Sequence, residues 1–200
     1  MIAVIDYGMG NLRSVQKAFE YLGFPASICE DPAQLEAASH LVLPGDAAFG
    51  DAMRNLRERG WVDALLRGIE RGKPFLGICV GLQLMFAESE ELGNHPGLGL
   101  LPGKVRRFPP AERVPQIGWN QVAIQKPVSI LAGVNDQSFF YFVHSYYVIP
   151  EDAGVIAATT EYGHRFTSIL WKDNLFACQF HPEKSQTLGL QLLKNFASLT

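Results

Sequence analysis

The chain has 200 residues, of which 48% are hydrophobic and 18% are charged, and these values are typical of one globular domain with a full core. Its net charge of -3 argues against a surface for nucleic acid or an anionic membrane, and no apolar run reaches the length of a membrane span. The 3 cysteines lack metal-ligand spacing, and their odd number favours reduced thiols. We therefore expect a cytoplasmic protein without a signal peptide, a metal site or a membrane partner.

The N-terminal segment predicts a strand, a tight turn and a helix. Residues 2–6 form an apolar run, and apolar side chains then recur at helical spacing over residues 12–22, before Gly23 ends the helix. Gly8 and Gly10 lie between the two elements, as in a dinucleotide-binding motif. The third glycine of that motif is missing, so we reject cofactor binding and predict a tight turn.

The alternation of strands and helices continues up to residue 90. Strands are predicted over residues 26–29 and 40–43, with a helix-like segment over residues 31–38 between them. Apolar residues at helical spacing follow over residues 53–69. Alternating strands and helices of this kind indicate a parallel, doubly wound sheet.

The next segment combines a buried strand with a reactive side chain. Residues 74–78 form a short apolar run, and residues 82–86 predict the start of a helix. Between them, residues 77–81 have the pattern Gly-x-Cys-x-Gly, which resembles the strand-to-helix turn that presents a nucleophile. The two glycines allow backbone segments to approach closely, so Cys79 is expected at the carboxyl edge of the sheet.

This position suits nucleophilic chemistry at Cys79. The N-terminus of the following helix carries partial positive charge, which favours the thiolate, and the N–H of Val80 is free to face a developing oxyanion. The alternative is that Cys79 packs as a small apolar residue. The flanking glycines and the predicted strand and helix favour the nucleophile.

The second half of the chain has a different pattern. Turn residues dominate 93–127, with a short strand over residues 122–124, and residues 139–148 are the most aromatic stretch. Apolar runs over residues 155–159, 166–171 and 175–180 follow at the short spacing of antiparallel strands, before a last helix over residues 187–199. These strands predict a mixed sheet.

A second reactive group lies in the sequence His181-Pro182-Glu183. Pro182 favours extended backbone at His181, and residues two apart in an extended segment point to the same side. Glu183 is therefore expected to orient the imidazole of His181, which would act as the base for Cys79. The alternative is a histidine at a strand end that is hydrogen-bonded to a surface glutamate.

Two motifs carry a resemblance to a known family: Gly77-x-Cys79-x-Gly81-x-Gln83, and Phe180-His181-Pro182-Glu183 near the C-terminus. The chain resembles the class I (triad) glutamine amidotransferases. The chain most resembles one group in this family, the glutaminase subunits of imidazole glycerol phosphate synthase. The segments that carry this closer resemblance are residues 6–14, 43–45, 118–120, 143–146 and 181–185. The resemblance implies a single domain over residues 1–200 with a flavodoxin-like α/β fold: an open, mostly parallel but mixed sheet with helices on both faces.

The resemblance also implies the chemistry and its residues. Cys79 would attack the side-chain amide of L-glutamine and form a glutamyl thioester, and His181 and Glu183 would complete the triad without a cofactor. The positions that match the family's substrate contacts are Gln83 and Glu91 for the amino-acid end, and Ser145 and Tyr146 for the carboxylate.

The implied partner is a separate (β/α)-barrel cyclase subunit in a heterodimer. It would use the ammonia to make imidazole glycerol phosphate and an aminoimidazole carboxamide ribotide. Asn11, Trp119 and Lys184 match positions at the docking face. Each has an equally plausible alternative: Asn11 as a helix cap, Trp119 as a rim aromatic and Lys184 as a solvated charge.

One segment departs from the family pattern. The strand expected to donate the second oxyanion N–H usually has the sequence Pro-Gly-Val-Gly, and here it is Pro44-Gly45-Asp46-Ala47. Gly45 and Asp46 remain the candidates for this N–H. If its position requires a positive φ, Ala47 costs about 1 kcal/mol, and a charge on Asp46 would oppose an oxyanion unless its side chain points away. We therefore expect an oxyanion hole that forms fully only when the partner rearranges the loop.

Three functions remain open at this point. The first is the ammonia-supplying glutaminase subunit. The second is a triad enzyme of another pathway, such as another glutaminase or a γ-glutamyl hydrolase, against which residues 6–14 and 184–185 argue. The third is a catalytically impaired regulatory subunit on the same fold, which the intact triad disfavours and the Asp46-Ala47 change keeps open.

Overall fold

The computed structural model describes all residues from 1 to 200, which form two β-sheets and five α-helices. The strands are β1 (Ile2–Ile5), β2 (Ala26–Cys29), β3 (His40–Gly45), β4 (Phe75–Cys79), β5 (Phe86–Ser89), β6 (His95–Pro96), β7 (Leu101–Arg107), β8 (Gln116–Ile124), β9 (Ser138–His144), β10 (Tyr146–Pro150), β11 (Ile156–Tyr162), β12 (His164–Lys172) and β13 (Leu175–Cys178). The helices are α1 (Leu12–Tyr21), α2 (Phe49–Glu58), α3 (Trp61–Glu70), α4 (Val80–Leu84) and α5 (Gln186–Ala197). Short 3₁₀ turns lie at Pro32–Ala37, Ser129–Leu131, Ala153–Val155 and Pro182–Lys184.

The larger sheet has nine strands in the order β2-β1-β3-β4-β13-β12-β11-β8-β9. The pairings from β2 through β13 are parallel, and those from β13 to β9 are antiparallel, so the sheet is mixed as the sequence predicts. Every residue of β1, β3 and β4 is buried, as expected for strands covered on both faces. Since parallel crossovers are right-handed, α1 and the α2–α3 pair cover opposite faces, and α5 packs beside α1.

Local sequence signals explain the helix ends in this region. Helix α1 ends before Gly23, whose φ of +84° is the left-handed conformation that a glycine adopts without strain. Gly60, with a φ of +72°, separates α2 from α3 in the same way. None of the helices is both long enough and apolar enough to cross a membrane.

A second, four-stranded sheet in the order β10-β7-β5-β6 is absent from the sequence-based prediction. The helix predicted to start at residues 82–86 is present as α4 but is shorter than expected: it ends at Leu84, and Phe86 begins strand β5. Phe86 pairs with Leu101 of β7, which lies in the stretch that was predicted to consist mainly of turns. The pairing of Phe86 with a strand distant in the sequence determines the secondary structure of this segment, and no local sequence pattern predicts that pairing.

One further prediction about the second half needs correction. The strand predicted over residues 122–124 is longer than expected: β8 begins at Gln116 and contains the segment Gly118-Trp119-Asn120, because β8 pairs with β9 along its length. The aromatic stretch 139–148 divides at Ser145 into β9 of the large sheet and β10 of the small sheet. The chain therefore passes from one sheet to the other at Ser145.

Candidate active site

Cys79 occupies a strained turn between β4 and α4. Its backbone has φ +55° and ψ -108°, a region that residues with a side chain rarely adopt. A Cβ at Gly81 would lie 1.8 Å from the carbonyl oxygen of Leu43, and one at Gly77 would lie 2.7 Å from the carbonyl oxygen of Gly81. Both glycines are therefore required by close backbone contacts, and these contacts hold Cys79 at the carboxyl end of β4.

Val80 and Gly45, the residues predicted to form the oxyanion hole, lie beside Cys79. Val80 is the first residue of α4, so its N–H has no acceptor within the helix. Gly45, at the end of β3, pairs with Cys79 in the sheet register. A Cβ at Gly45 would lie 2.6 Å from the hydroxyl oxygen of Tyr7 and 2.9 Å from Val80 Cβ, so packing permits only glycine.

The hydroxyl of the buried Tyr7 donates a hydrogen bond to the carbonyl oxygen of Pro44 at 2.9 Å. Burial, together with the nearby charges of Asp46 and Cys79, raises the pKa of Tyr7 far above its usual value. The phenol therefore stays protonated and keeps donating to the strand that precedes Gly45.

The Asp46-Ala47 departure does not strain the backbone. Ala47 is not among the residues with a positive φ, so the conformational cost considered for it does not arise. The Asp46 carboxylate accepts a hydrogen bond from the backbone N–H of Gly10 at 2.9 Å. This bond ties the Asp46 carboxylate to the turn after β1.

His181 and Glu183 form a buried pair at the end of the chain segment that follows β13. Nδ1 of His181 lies 2.8 Å from Oε1 of Glu183, and the two side chains are only 4% and 1% exposed. The contact arises because the chain bends into a 3₁₀ turn at Pro182, after the extended backbone of His181. Nε2 of His181 is buried without a hydrogen-bond partner.

The charge of His181 depends on its neighbours. Burial opposes the protonated ring, but the interactions with Cys79 and the Glu183 carboxylate outweigh it and raise the pKa of His181 to about 10. The imidazole is therefore charged at neutral pH, which suits a pairing with a Cys79 thiolate.

A cavity of about 400 Å³ brings most of the predicted site residues together. The predicted residues that line it are Asp46, Cys79, Val80, Gln83, Glu91, Ser145, Tyr146, His181 and Lys184. Glu183 lies behind His181, and Gly45 lies beside Cys79 in the sheet. The arrangement offers a nucleophile, a charged imidazole and polar groups within one pocket, which is the requirement for acyl transfer.

The polar groups on the far side of this cavity are held in place by hydrogen bonds. Glu91 accepts a hydrogen bond from the backbone N–H of Phe49 at 2.7 Å, and burial raises its pKa. Gln83 Nε2 donates to the carbonyl oxygen of Tyr146 at 3.1 Å. Ser145, at the junction of the two sheets, completes this wall of the cavity.

Two of the residues predicted to face a partner lie outside the cavity. Asn11 occupies the N-cap position of α1, but its side chain makes no capping hydrogen bond. It lines a separate depression of about 680 Å³ with Asp6 and Arg13. Trp119 is 45% exposed and lines a groove with Phe139, which is 52% exposed. Lys184, in contrast, lines the cavity that contains Cys79.

Comparison with known proteins identifies the family. The model for class-I glutamine amidotransferases matches residues 3–199. The chain belongs to the class-I glutamine amidotransferase family. A relative named imidazole glycerol phosphate synthase subunit HisH, from Syntrophotalea carbinolica, is 54% identical over 100% of both chains. The subunit of the same name from Geobacter sulfurreducens is 53% identical over 99% of this chain and 98% of its own.

The fold of this amidotransferase is also found in solved structures. The structure of PurLQS from Thermotoga maritima contains a chain that superimposes with a TM-score of 0.79 at 18% identity, over 98% of this chain and 96% of that one. Identity at this level supports the fold alone. The α/β fold predicted from the sequence and the enzyme class predicted from its motifs are both confirmed.

Two polar residues of the amidotransferase site were not identified from the sequence. Gln179 is fully buried, and its Nε2 lies 3.6 Å from Cys79 Sγ. The same-side rule that links His181 to Glu183 also reaches back to Gln179, so the signal was present. His144 lines the cavity too, but its place in an aromatic run gave no sign of it. No three His, Cys, Asp or Glu side chains come together in a group that could hold a metal ion.

Proposed function

We propose that this chain is the glutaminase subunit of an imidazole glycerol phosphate synthase, a single-domain cytoplasmic enzyme that hydrolyses L-glutamine to glutamate and ammonia. The observation that carries the proposal is the buried His181–Glu183 pair, whose imidazole lines the same cavity as Cys79. The relatives named HisH, 54% and 53% identical over essentially the whole chain, support the pathway. The three free cysteines fit a reducing compartment.

In this proposal the reaction begins with the Cys79 thiolate attacking the side-chain amide carbon of glutamine. The carbonyl oxygen becomes an oxyanion, stabilised by the N–H of Val80 and by one from the Gly45–Asp46 segment. The protonated imidazole of His181 gives its proton to the leaving nitrogen, and the C–N bond breaks to release ammonia and leave a glutamyl thioester. His181, now neutral, takes a proton from water, whose oxygen attacks the thioester and releases glutamate.

Substrate contacts complete the proposal. Glu91 and Gln83 would bind the amino-acid end of glutamine, and the Ser145–Tyr146 turn would bind its carboxylate, because these groups line the same cavity as Cys79. Glu91 is held by the N–H of Phe49, so its orientation is set before substrate enters. A preset carboxylate lowers the entropic cost of binding the substrate ammonium.

The ammonia would pass to a (β/α)-barrel cyclase subunit in a heterodimer, which would use it to make imidazole glycerol phosphate and an aminoimidazole carboxamide ribotide. The exposed groove at Trp119 and the depression at Asn11 would face this partner, together with Lys184, which lines the cavity. Trp119→Ala should weaken cyclase binding about tenfold or more, as expected for a buried aromatic at an interface, and leave basal glutaminase activity unchanged. Titration of the labelled cyclase against both proteins would measure this, and unchanged affinity would exclude Trp119 from the interface.

The deciding experiment measures glutamate release from glutamine by the purified chain, alone and with the cyclase and its ribonucleotide ligand. Cys79→Ala serves as the blank. Low activity alone and a large increase in the complex are expected, because the second oxyanion N–H is proposed to be completed by the partner. Glutamine hydrolysis that the cyclase does not alter would exclude this pathway and leave only the triad chemistry. Loss of glutamate release from every preparation of the unmodified chain would favour the regulatory alternative.

A further inference from the structure

The side-chain amide of Gln179 is a hydrogen-bond donor near Cys79, in addition to the imidazole of His181. Gln179 is completely buried between β13 and His181, and its Nε2 lies 3.6 Å from Cys79 Sγ. We infer that Gln179 is a further catalytic residue, which donates an amide N–H to the Cys79 thiolate and is oriented for this by Gln83. The inference deepens the proposed glutaminase function and rests on it.

The direction of the hydrogen bonds follows from a backbone carbonyl. The oxygen of Tyr146 can only accept, so Gln83 must present its NH₂ group to it, at 3.1 Å. The second N–H of that group then points to Oε1 of Gln179, at 3.2 Å. With its oxygen engaged there, Gln179 has only its own NH₂ group left to face Cys79. These hydrogen bonds therefore place an N–H group of Gln179, and not its carbonyl oxygen, next to Cys79 Sγ.

His144 reinforces the start of this chain. Its Nδ1 lies 2.7 Å from the same carbonyl oxygen of Tyr146. Burial lowers the pKa of His144 to about 4, so the ring is neutral and has one N–H. The Tyr146 carbonyl can only accept, so we place this proton on Nδ1; Nε2, 2.9 Å from the side-chain amide of Gln116, then accepts from the NH₂ group of that amide. Two donors on one carbonyl hold the Tyr146 peptide in place, and with it the amide of Gln83.

A neutral donor at this sulfur adds to the stabilisation of the thiolate by the charged imidazole of His181. The carbonyl oxygen of Val143, 3.8 Å from Sγ, can interact favourably only with a protonated sulfur. Cys79 is 3% exposed, so water contributes little to its solvation. Gln179 supplies a fixed N–H dipole that cannot exchange a proton with His181, and such dipoles are effective in sites that exclude water.

The same donor acts again when the thioester is hydrolysed. Water attacks the acyl carbon, the C–S bond breaks, and its electron pair returns to Sγ as a thiolate. The N–H of Gln179 stabilises that charge as it forms. The Ser145–Tyr146 turn, proposed to hold the substrate carboxylate, is thus joined through Gln83 and Gln179 to the reacting sulfur.

Three variants test the role of Gln179. Gln179→Met removes the donor at similar volume, and Gln179→Glu keeps an oxygen for Gln83 but places a repelling charge near Sγ. Gln125→Glu, one residue beyond the end of β8, is the control. Alkylation of Cys79 by iodoacetamide is followed against pH by peptide mass spectrometry, which separates it from Cys29 and Cys178. Glutaminase kcat and KM are measured in the cyclase complex, and thermal melts report folding.

Both Gln179 variants should move the alkylation midpoint to higher pH, Gln179→Glu the further, and lower kcat by about ten- to a hundredfold with little change in KM, as expected for one hydrogen bond to a charged group. The control should match the unmodified chain. A folded Gln179→Met variant with the original pH profile and kcat would overturn the inference. If Gln179→Glu does not fold, Gln179→Met decides alone. The alkylation profile is independent of glutamine hydrolysis, so failure of the proposed function and failure of this inference give different results.

Discussion

The two halves of the nine-stranded sheet build the site by different means. The parallel half contributes backbone: Cys79 has its unusual φ and ψ because Gly77, Gly81 and Leu43 are in direct contact. The antiparallel half and the small sheet contribute a hydrogen-bonded network, in which His144 of β9 and the carbonyl oxygen of Tyr146 in β10 meet the side chain of Gln83 from α4. Close steric contact tolerates no added atom, whereas a network with several donors retains part of its function when one is lost. The turn at Cys79 should therefore be more sensitive to small substitutions than the hydrogen-bonded network around Tyr146.

The largest effect is expected from one added carbon in the parallel half. Gly81→Ala would place Cβ 1.8 Å from the Leu43 carbonyl oxygen, so the turn must open. The free energy of unfolding should fall by more than about 3 kcal/mol, and Tm by at least about 6 °C. Gly133→Ala is the control: its φ of +75° costs about 1 kcal/mol, and open space surrounds it. Equal losses of Tm in the two variants would refute the steric account.

The next largest effect is expected when the negative charge of Glu183 beside the His181 imidazole is removed. Glu183→Gln keeps an acceptor beside Nδ1 of His181 but removes the negative charge, so the charged imidazole loses its buried counter-ion. We expect kcat for glutamine hydrolysis to fall by about two to four orders of magnitude with an unchanged fold. Steady-state kinetics in the cyclase complex and circular dichroism would measure both. A fall of less than threefold would show that Glu183 serves only the packing.

The protonation of His181 gives a pH test at the same site. Since its folded-state pKa is raised to about 10 by Cys79 and Glu183, above the usual 6.5, the stabilisation from the charged ring is fully present below pH 6.5. It is lost as the pH rises through about 10. Cys79→Ala removes one of the two anionic partners, so the ring should deprotonate at lower pH than in the unmodified chain. NMR titration of the His181 imidazole would follow this, and identical curves would rule out the thiolate–imidazolium pair.

The smallest effect is expected in the network of the other half. His144→Phe keeps an aromatic ring among Phe108, Phe142 and Phe166 but removes one of the two donors to the Tyr146 carbonyl. Gln83 still donates to that oxygen, so KM for glutamine should rise only about fivefold and kcat should change little. Kinetics over a range of glutamine concentrations would separate the two parameters. A loss of kcat comparable to that of Glu183→Gln would show that this network is no more tolerant than the turn at Cys79.

The parallel half is also the part that the sequence predicts well. Buried strands such as β1, β3 and β4 are continuous apolar runs, and the glycines around Cys79 predict a tight turn at that position. Each of these signals lies within a few residues of the structure it specifies. The His181–Glu183 pair is local too, since only Pro182 separates its members.

The remaining structure depends on partners distant in the chain. Phe86 continues an apolar helical pattern, yet its pairing with Leu101 makes it a strand. Ser145 gives no sign that the chain changes sheets, because the aromatic residues on both of its sides favour strand alike. Gln179 could have been found by extending the same-side rule backwards from His181, but its contact with Cys79 depends on the pairing of β13 with β4.

The change of sheet at Ser145 has a consequence for the choice of amino acid. Under the proposed roles, the carboxylate of glutamine is held at the junction of the two sheets, while its amide carbon must reach Cys79 at the tip of β4. Because the framework between these two points is rigid, their separation sets the length of side chain that can reach both. Asparagine, one methylene shorter, cannot span it with both ends engaged, and a missing methylene alone is worth about ten- to two-hundredfold in specificity. The framework thus selects glutamine by its length as well as by its functional groups.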